Sequence, residues 1–229
     1  MFQKTYEVTL KSRSGLILHS DNVEWSASME EWSLEPGNKA KSKAGDDRYP
    51  AWRWMGCLYK DDITDEVIIP SDNLMTMLRD AGKKVPTGKK GGSFKAITQS
   101  GIAINETGWP LLIPKQPGSP TYKKILGSEL RHLLTEPDFN KHLTECRKAG
   151  FFLFPKRARI GQAKHLRVRP RFDVWTASGT LTVTDETISE RVLQSIFDIG
   201  GIHCGLGDWR PGAPSSGPWG RFEATIKEV

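Results

Sequence analysis

The stretch Gly200-Gly201-Ile202-His203-Cys204-Gly205-Leu206-Gly207-Asp208-Trp209-Arg210, continued by Gly217-Pro218-Trp219-Gly220-Arg221-Phe222-Glu223, constrains this chain more than any other. Four glycines within 200–207 let the backbone reach positive φ and approach another surface closely, at an entropic cost that regular structure does not bear without cause. A helical pattern runs into the stretch. Thr187 and Glu190 have the spacing of a capping box, Ile188, Val192, Ile196 and Ile199 form an apolar stripe, and Gly200 stands where a helix stop belongs. A strand pattern runs out of it, with Phe222, Ala224 and Ile226 alternating against Arg221, Glu223, Thr225 and Lys227. The unit predicts a helix, a glycine-rich loop over 200–220 and a closing strand.

A chain of 229 residues with 37% hydrophobic and 26% charged residues has the make-up of one folded domain with large insertions, not of a disordered segment. Its longest apolar run, Phe151-Phe152-Leu153-Phe154, is far too short to span a bilayer, and Met-Phe-Gln-Lys-Thr lacks the apolar core of a signal peptide. The expectation is a cytoplasmic protein with no membrane partner. Cys57, Cys146 and Cys204 stand far apart without CxxC or His-pair spacing, so free thiols are expected, with no metal and no cofactor.

The net charge of +6 matters less than its layout. Between Glu145 and Asp173 there is no acid, while Lys156, Arg157, Arg159, Lys164, Arg167, Arg169 and Arg171 fall there. A second acid-free stretch carries Lys83, Lys84, Lys89, Lys90 and Lys95. Such segregation suits a polyanion, although two solvated loops would read the same way.

Tyr6, Val8 and Leu10 alternate as a first strand, broken at Ser14-Gly15 and resumed by Leu16 to His19. Residues 20–57 show no steady period and read as an irregular excursion or a hairpin. Val67 to Ile69 is a short strand, and Ser71 caps a helix with the stripe Leu74, Met77, Leu78 and Ala81, closed by Gly82. Residues 83–120 read as an inserted loop or hairpin arm with a short strand at Ile102 to Ile104. Two short helices follow, the first capped by Ser128 and the second running from Asp138 to a stop at Gly150. After the buried strand Phe151 to Phe154, Leu166 to Val174 alternates, and Ser178-Gly179 is expected to turn the chain into Thr180 to Val183 as a hairpin. Pro170 places its strand at an edge or a bulge.

Arg167, Arg169 and Arg171 share one strand face about 6.5–7 Å apart, near the phosphate spacing of an extended single strand; an exposed edge strand would carry the same residues to deter aggregation. A nucleic-acid role requires these guanidinium groups to lie together and free of carboxylate partners. Stripped of insertions at approximately 20–60 and 83–150, the order is βαββαβ. This predicts an α+β, ferredoxin-like (RRM-like) sheet whose open face is left for single-stranded nucleic acid.

These residues resemble the RAMP superfamily, whose members form backbone subunits and processing nucleases of CRISPR antiviral complexes. Tyr6 to Leu10 with Ser14-Gly15-Leu16-Ile17-Leu18-His19-Ser20 is similar to that superfamily's first strand and its following Gly-Leu-x-Ile-Gly stretch. Val67-Ile68-Ile69-Pro70-Ser71 resembles its Ile-Pro-Gly-Ser helix start, and Gly200 to Phe222 its C-terminal glycine-rich loop. Ser71-Asp72-Asn73, His19-Ser20 and the Pro211 to Pro218 insert depart from the pattern. The resemblance implies a palm domain with a thumb hairpin and a helical insert within 30–60 and 83–150. It also implies polymerisation along a guide RNA with copies of itself and other effector subunits, against a target DNA or RNA strand.

For binding, Trp209 and Arg210 offer stacking and charge in the glycine loop, though Trp209 serves equally as a lid on the sheet. For catalysis, the resemblance points to a His general base, and only His19 lies where one would act. Asp46 and Asp47 fall where some backbone subunits carry a cleaving Asp, but beside Gly45 they read as exposed turn acids. The expectation is a non-catalytic RNA-binding subunit. The alternatives are a metal-independent CRISPR RNA endoribonuclease and a phage or mobile-element protein using the fold on single-stranded DNA.

Overall fold

Alternation near the N-terminus builds a strand. In the computed structural model, which describes residues 2–88 and 90–229, Tyr6, Val8 and Leu10 of β1 (Lys4–Ser12) are at most 1% exposed while Glu7 and Thr9 face solvent. The chain continues through β2 (Leu16–Ile17), α1 (Val23–Leu34), α2 (Trp52–Met55), β3 (Ile68–Pro70), α3 (Ser71–Gly82), α4 (Lys95–Gly101), β4 (Ile102–Ile104), β5 (Gly108–Pro114) and β6 (Tyr122–Lys124). A 3₁₀ stretch (Gly127–Thr135) leads to α5 (Phe139–Ala149), β7 (Phe152–Ile160), β8 (Ala163–Phe172), β9 (Thr176–Val183), α6 (Glu190–Ile199), a π turn (Gly200–Cys204) and β10 (Phe222–Glu228).

The result is an α+β protein with two antiparallel sheets. The larger runs β10-β1-β9-β5-β3, with β4 also on β9 and β6 on β5; the smaller is β2-β8-β7. Helices α3 and α6 pack on each other and on the inner face of the larger sheet, enclosing Leu74, Leu78, Leu193, Ile196 and Phe197 with Val8, Leu10 and Leu181. Trp54, Trp109 and Trp175 are fully buried, each stabilising by roughly 1.5–3 kcal/mol relative to exposure. No helix among the described residues is long and apolar enough to cross a membrane.

Several expectations are corrected. Residues 20–57 are not a hairpin: Trp25, Met29 and Trp32 follow helical spacing in α1, and the Asn22 side chain accepts from the Trp25 N–H as its cap. The strand expected at Ile102 to Ile104 is β4, but residues 83–120 are not otherwise an inserted loop or hairpin arm, since β5 also joins the larger sheet. Ser178-Gly179 does not turn. β9 runs straight through it because the Trp109 ring lies over Gly179, where a Cβ would meet Cδ1 at 2.1 Å. The hairpin is instead β7–β8, closed at Gly161 (φ 58°), and it belongs to the smaller sheet. Pro170 sits in the middle strand of that sheet, but its carbonyl accepts from Leu18 N, so its missing N–H faces the side where β2 has already ended.

Cap positions also move. Ser189, not Thr187, caps α6 through a bond from Val192 N, and Thr187 donates to Asp185 instead. Pro70 precedes α3 and Ser71 is already helical, while the 3₁₀ stretch starts after Leu126 rather than on a Ser128 cap. Asp138 and Gly150 (φ 104°) bound α5 as expected. Gly200 does not stop α6: it is helical (φ −55°), and the chain winds on through the π turn to Gly205 (φ 68°), whose N–H donates to Gly200 O. Gly200 and Gly201 are small for close packing, because a Cβ on Gly201 would lie 2.1 Å from Phe222 O. Gly201→Ala is therefore expected to cost about 3 kcal/mol and lower Tm by roughly 6–12 °C in a thermal melt; an unchanged Tm would show that β10 yields there.

Candidate nucleic-acid interface

The β7–β8 hairpin carries its cations on two faces, set by strand alternation. Phe152, Phe154 and Lys156 pair with Arg171, Arg169 and Arg167 on one face; Arg157 and Arg159 alternate with them and share the opposite face with Lys164. Lys156, Arg157, Arg159 and Lys164 are exposed, and among the described residues none is paired with a carboxylate.

The glycine loop clamps onto the first face. Asp208 N donates to Ile17 O and Trp209 N to Asp208 Oδ1, which holds Trp209 in the left-handed region (φ 48°). Its ring packs edge-on against Phe154 at 5.9 Å, and Lys156 Nζ sits 3.8 Å over it. Trp219 meets Phe154 at 5.6 Å, and the Arg171 guanidinium lies 5.2–5.6 Å from Phe152, Phe154 and Trp219. Trp209 is thus a half-buried lid on the smaller sheet with a cation over one face, worth on the order of 0.5–2 kcal/mol. Arg210 turns back on its own loop, donating to Gly207 O.

Arg167, Arg169 and Arg171 share a face, but they are not free. Residues 45–47 bridge to Leu166 on β8, which carries Asp47 against the strand. Asp47 is only 4% exposed and accepts from Arg167 Nη1 at 3.2 Å and Arg169 Nη1 at 3.3 Å. Arg171 pairs with Asp173 at 2.7 Å. The row of arginines expected to meet phosphates is locked into carboxylate partners, because the acid-free run in sequence folds against acids from elsewhere. Nor is the open face of the larger sheet cationic: Lys11 and Lys227 stand there opposite Glu223 and Glu7. The unpaired charge lies toward the tip of the hairpin instead.

The catalytic candidates converge on the same place without forming a catalytic set. Arg169 Nη2 lies 3.1 Å from His19 Nε2; arginine only donates, so Nε2 accepts and Nδ1 carries the proton, facing Asp208 Oδ2 at 3.8 Å. Burial, then the Arg169 charge, hold the His19 pKa below the usual histidine value. Its one lone pair is engaged by Arg169, so in this geometry His19 itself is not free to take a proton. Asp46 is not an open turn acid either. Arg48 grips it bidentately at 2.7–3.1 Å, and that bond holds its carboxyl below the usual range.

The remaining residues lie apart. Lys83, Lys84, Lys90 and Lys95 are exposed around the turn joining α3 to α4, and among the described residues no hydrogen bond or ion pair joins that turn to the hairpin. Lys89 lies outside the described residues. The three cysteines are free and buried, with burial pushing Cys57 up to about 11. Among the described residues no group of three or more His, Cys, Asp or Glu could hold a metal ion. Asp47 as partner of Arg167 and Arg169 escapes sequence reasoning, since it lies 120 and 122 residues away.

Two outcomes follow. Asp47→Ala strands the buried Arg169 charge and is expected to cost about 3 kcal/mol in urea unfolding; a change within error would show that Arg169 finds water. His142, buried and accepting from Trp54 Nε1, has its pKa lowered chiefly by burial, as does His19. Both imidazoles have folded pKa values below the unfolded value of about 6.5, so the unfolded chain takes up protons first as pH falls. Stability is full above about pH 6.5 and is lost as pH falls through the folded values, a slope that His19→Gln should reduce in urea midpoints; an equal slope in that variant removes His19 from the account. No protein-family profile matches this chain, and no curated protein matches it as a relative.

Proposed function

We propose that this chain binds single-stranded nucleic acid without cleaving it, as a RAMP-like backbone subunit that assembles in copies along a guide RNA. The observation that carries the binding is the hairpin arm: Lys156, Arg157, Arg159 and Lys164 project from β7–β8, exposed and without carboxylate partners among the described residues. The row Arg167, Arg169 and Arg171 fails the requirement of being free of carboxylate partners, since Asp47 and Asp173 pair with it, so strand binding rests instead on the tip cations, whose charge is available to phosphates. The ferredoxin-like reading is supported by the path β10-β1-β9-β4. In it β1 and β9 are central, α3 lies between β1 and β4, and α6 lies between β9 and β10. In this reading the hairpin arm is the thumb, placed at 152–172 and not within 30–60. The non-catalytic half of the proposal rests on His19, whose lone pair faces Arg169.

The test is titration of a fluorescent single-stranded RNA at several salt concentrations. Binding weakens with salt, with a log–log slope of roughly −0.7 per phosphate neutralised on a single strand. The combined Arg157→Ala, Arg159→Ala and Lys164→Ala variant keeps its fold and flattens that slope by about 2. An unchanged slope sinks the proposal. Competition with DNA of the same sequence separates RNA coating from the single-stranded DNA reading, because only RNA offers the 2′-OH.

A further inference from the structure

Beneath α1 lies a cleft of about 370 Å³, which the tip cations Lys156, Arg157, Arg159 and Lys164 do not line. Its walls are Trp25 and Trp52, in edge contact at 4.7 Å, with Arg167 and Arg169 from β8, His19, and Asn22 at the start of α1. Trp52 carries Arg53 beside it, whose guanidinium donates to Lys43 O, Asp46 O and Ser42 Oγ, none of them a carboxylate. Against these three guanidinium groups the cleft sets Asp47, shared by two of them, and the exposed Asp21 at its mouth. Among the lining residues the balance is positive, with Asp208 facing Arg169 and His19 from outside the lining.

Behind the walls of this cleft, the unmet hydrogen-bonding capacity of its lining residues is of one kind. Arg169 is only 8% exposed, and its Nε has no hydrogen-bond partner; Asp208 Oδ2 stays 4.0 Å away. Arg53 Nε and Trp52 Nε1 are buried and unpartnered too. All three are N–H donors on residues of one cleft, and a buried donor without an acceptor costs roughly 1–3 kcal/mol. α1 adds to them: its 12 residues present their N-terminus here, and the Asn22 side chain satisfies only the Trp25 N–H among the first amides. With three guanidinium groups on its walls, the cleft suits an acceptor with negative charge, and the paired indoles suit an aromatic base. The volume falls in the range of about 300–1,000 Å³ typical of small-molecule sites.

We infer that the cleft between α1 and β8 holds the phosphate of a nucleotide, with Arg167 and Arg169 on the phosphate and Trp25 and Trp52 against the base. The pocket stands on its own residues; only the notion that a strand terminus supplies the phosphate rests on the nucleic-acid reading above. Arg167 is the movable partner. Its side chain is one-third exposed, and its contacts to Asp47 at 3.2 and 3.5 Å can be exchanged for a phosphate without unburying Arg169.

Calorimetric titration of the whole chain with a nucleoside 5′-monophosphate, inorganic phosphate and the unphosphorylated nucleoside tests this. The monophosphate should bind about tenfold or more tighter than the nucleoside, in line with a charge-assisted bond. Arg167→Gln, checked by thermal melt for folding, should remove that advantage, while the hairpin variant at 157, 159 and 164 keeps it. Equal affinity for monophosphate and nucleoside, or an unaffected Arg167→Gln, overturns the pocket. Trp25→Ala, expected to weaken monophosphate but not inorganic phosphate, is the second variant; equal loss for both would overturn the base-binding wall. Preference for 5′- or 3′-phosphorylated RNA over its hydroxyl counterpart assigns the phosphate to a strand end, and monophosphate binding without that preference assigns it to a free nucleotide. Salt-sensitive strand binding with no monophosphate binding removes the pocket and leaves the hairpin proposal standing. Monophosphate binding with no strand binding does the reverse.

Discussion

One carboxylate organises the hairpin end of this molecule. Asp47 is nearly buried, and two arginines from β8 converge on it. Without it, Arg169 would be a charge taken out of water with only a distant Asp208 and a neutral imidazole for company. With it, the 45–47 segment is tied to β8, α1 and α2 are brought over the strand, and the hairpin is fixed at its root. The same pairing divides the basic run in two. Residues at the base of the hairpin are structural cations with partners, and residues toward the tip are solvated cations without them. Charge counting cannot make that division, because it depends on which acids arrive from elsewhere in the chain.

The glycine loop plays the complementary part on the same face of the hairpin. It reaches back to Ile17 through Asp208 and lays Trp209 and Trp219 on Phe154, so that β2, the hairpin and the loop form one packed unit. Gly207 makes this approach feasible, since a Cβ there would lie 2.3 Å from Ile17 O. Trp209 takes a left-handed backbone that side chains of its size rarely adopt, a strain offset by its cap from Asp208 and the contact with Lys156. The loop read from sequence as a ligand-approaching device is thus largely occupied by its own protein.

Elements with a clean period and local punctuation were legible in the sequence: β1 from its alternation, α3 from Leu74, Met77, Leu78 and Ala81, α5 from Asp138 and Gly150, and β10 from Phe222, Ala224 and Ile226. Others were hidden by physical causes that can be named. Among its described side chains α1 buries none completely and so shows no strong stripe, though Asn22 with Trp25, Met29 and Trp32 was a readable signal. β5 contains Pro110 and Pro114, which argue against a strand until β3, β6 and β9 share its neighbours. Gly179 reads as a turn unless the Trp109 ring over it is known. At the site, residue types were legible and pairings were not. His19, Asp47, Arg167 and Arg169 all stood out in sequence, yet only the fold shows that both arginines share Asp47 and that Arg169 also reaches His19.

The pairing of β1 carries a consequence for how the chain reaches this shape. Its two neighbours are β9, in register from Lys4↔Val183 to Lys11↔Thr176, and β10, from Tyr6↔Glu228 to Ser12↔Phe222. During synthesis β1 emerges first and must wait for well over half the chain before either partner exists, while β7–β8 and the α3–α4 pair can close locally. Contacts so remote along the chain make folding slow, and the waiting strand exposes Tyr6, Val8 and Leu10 meanwhile. The middle of the larger sheet is therefore the last part to zip, and the arm at its side is among the first.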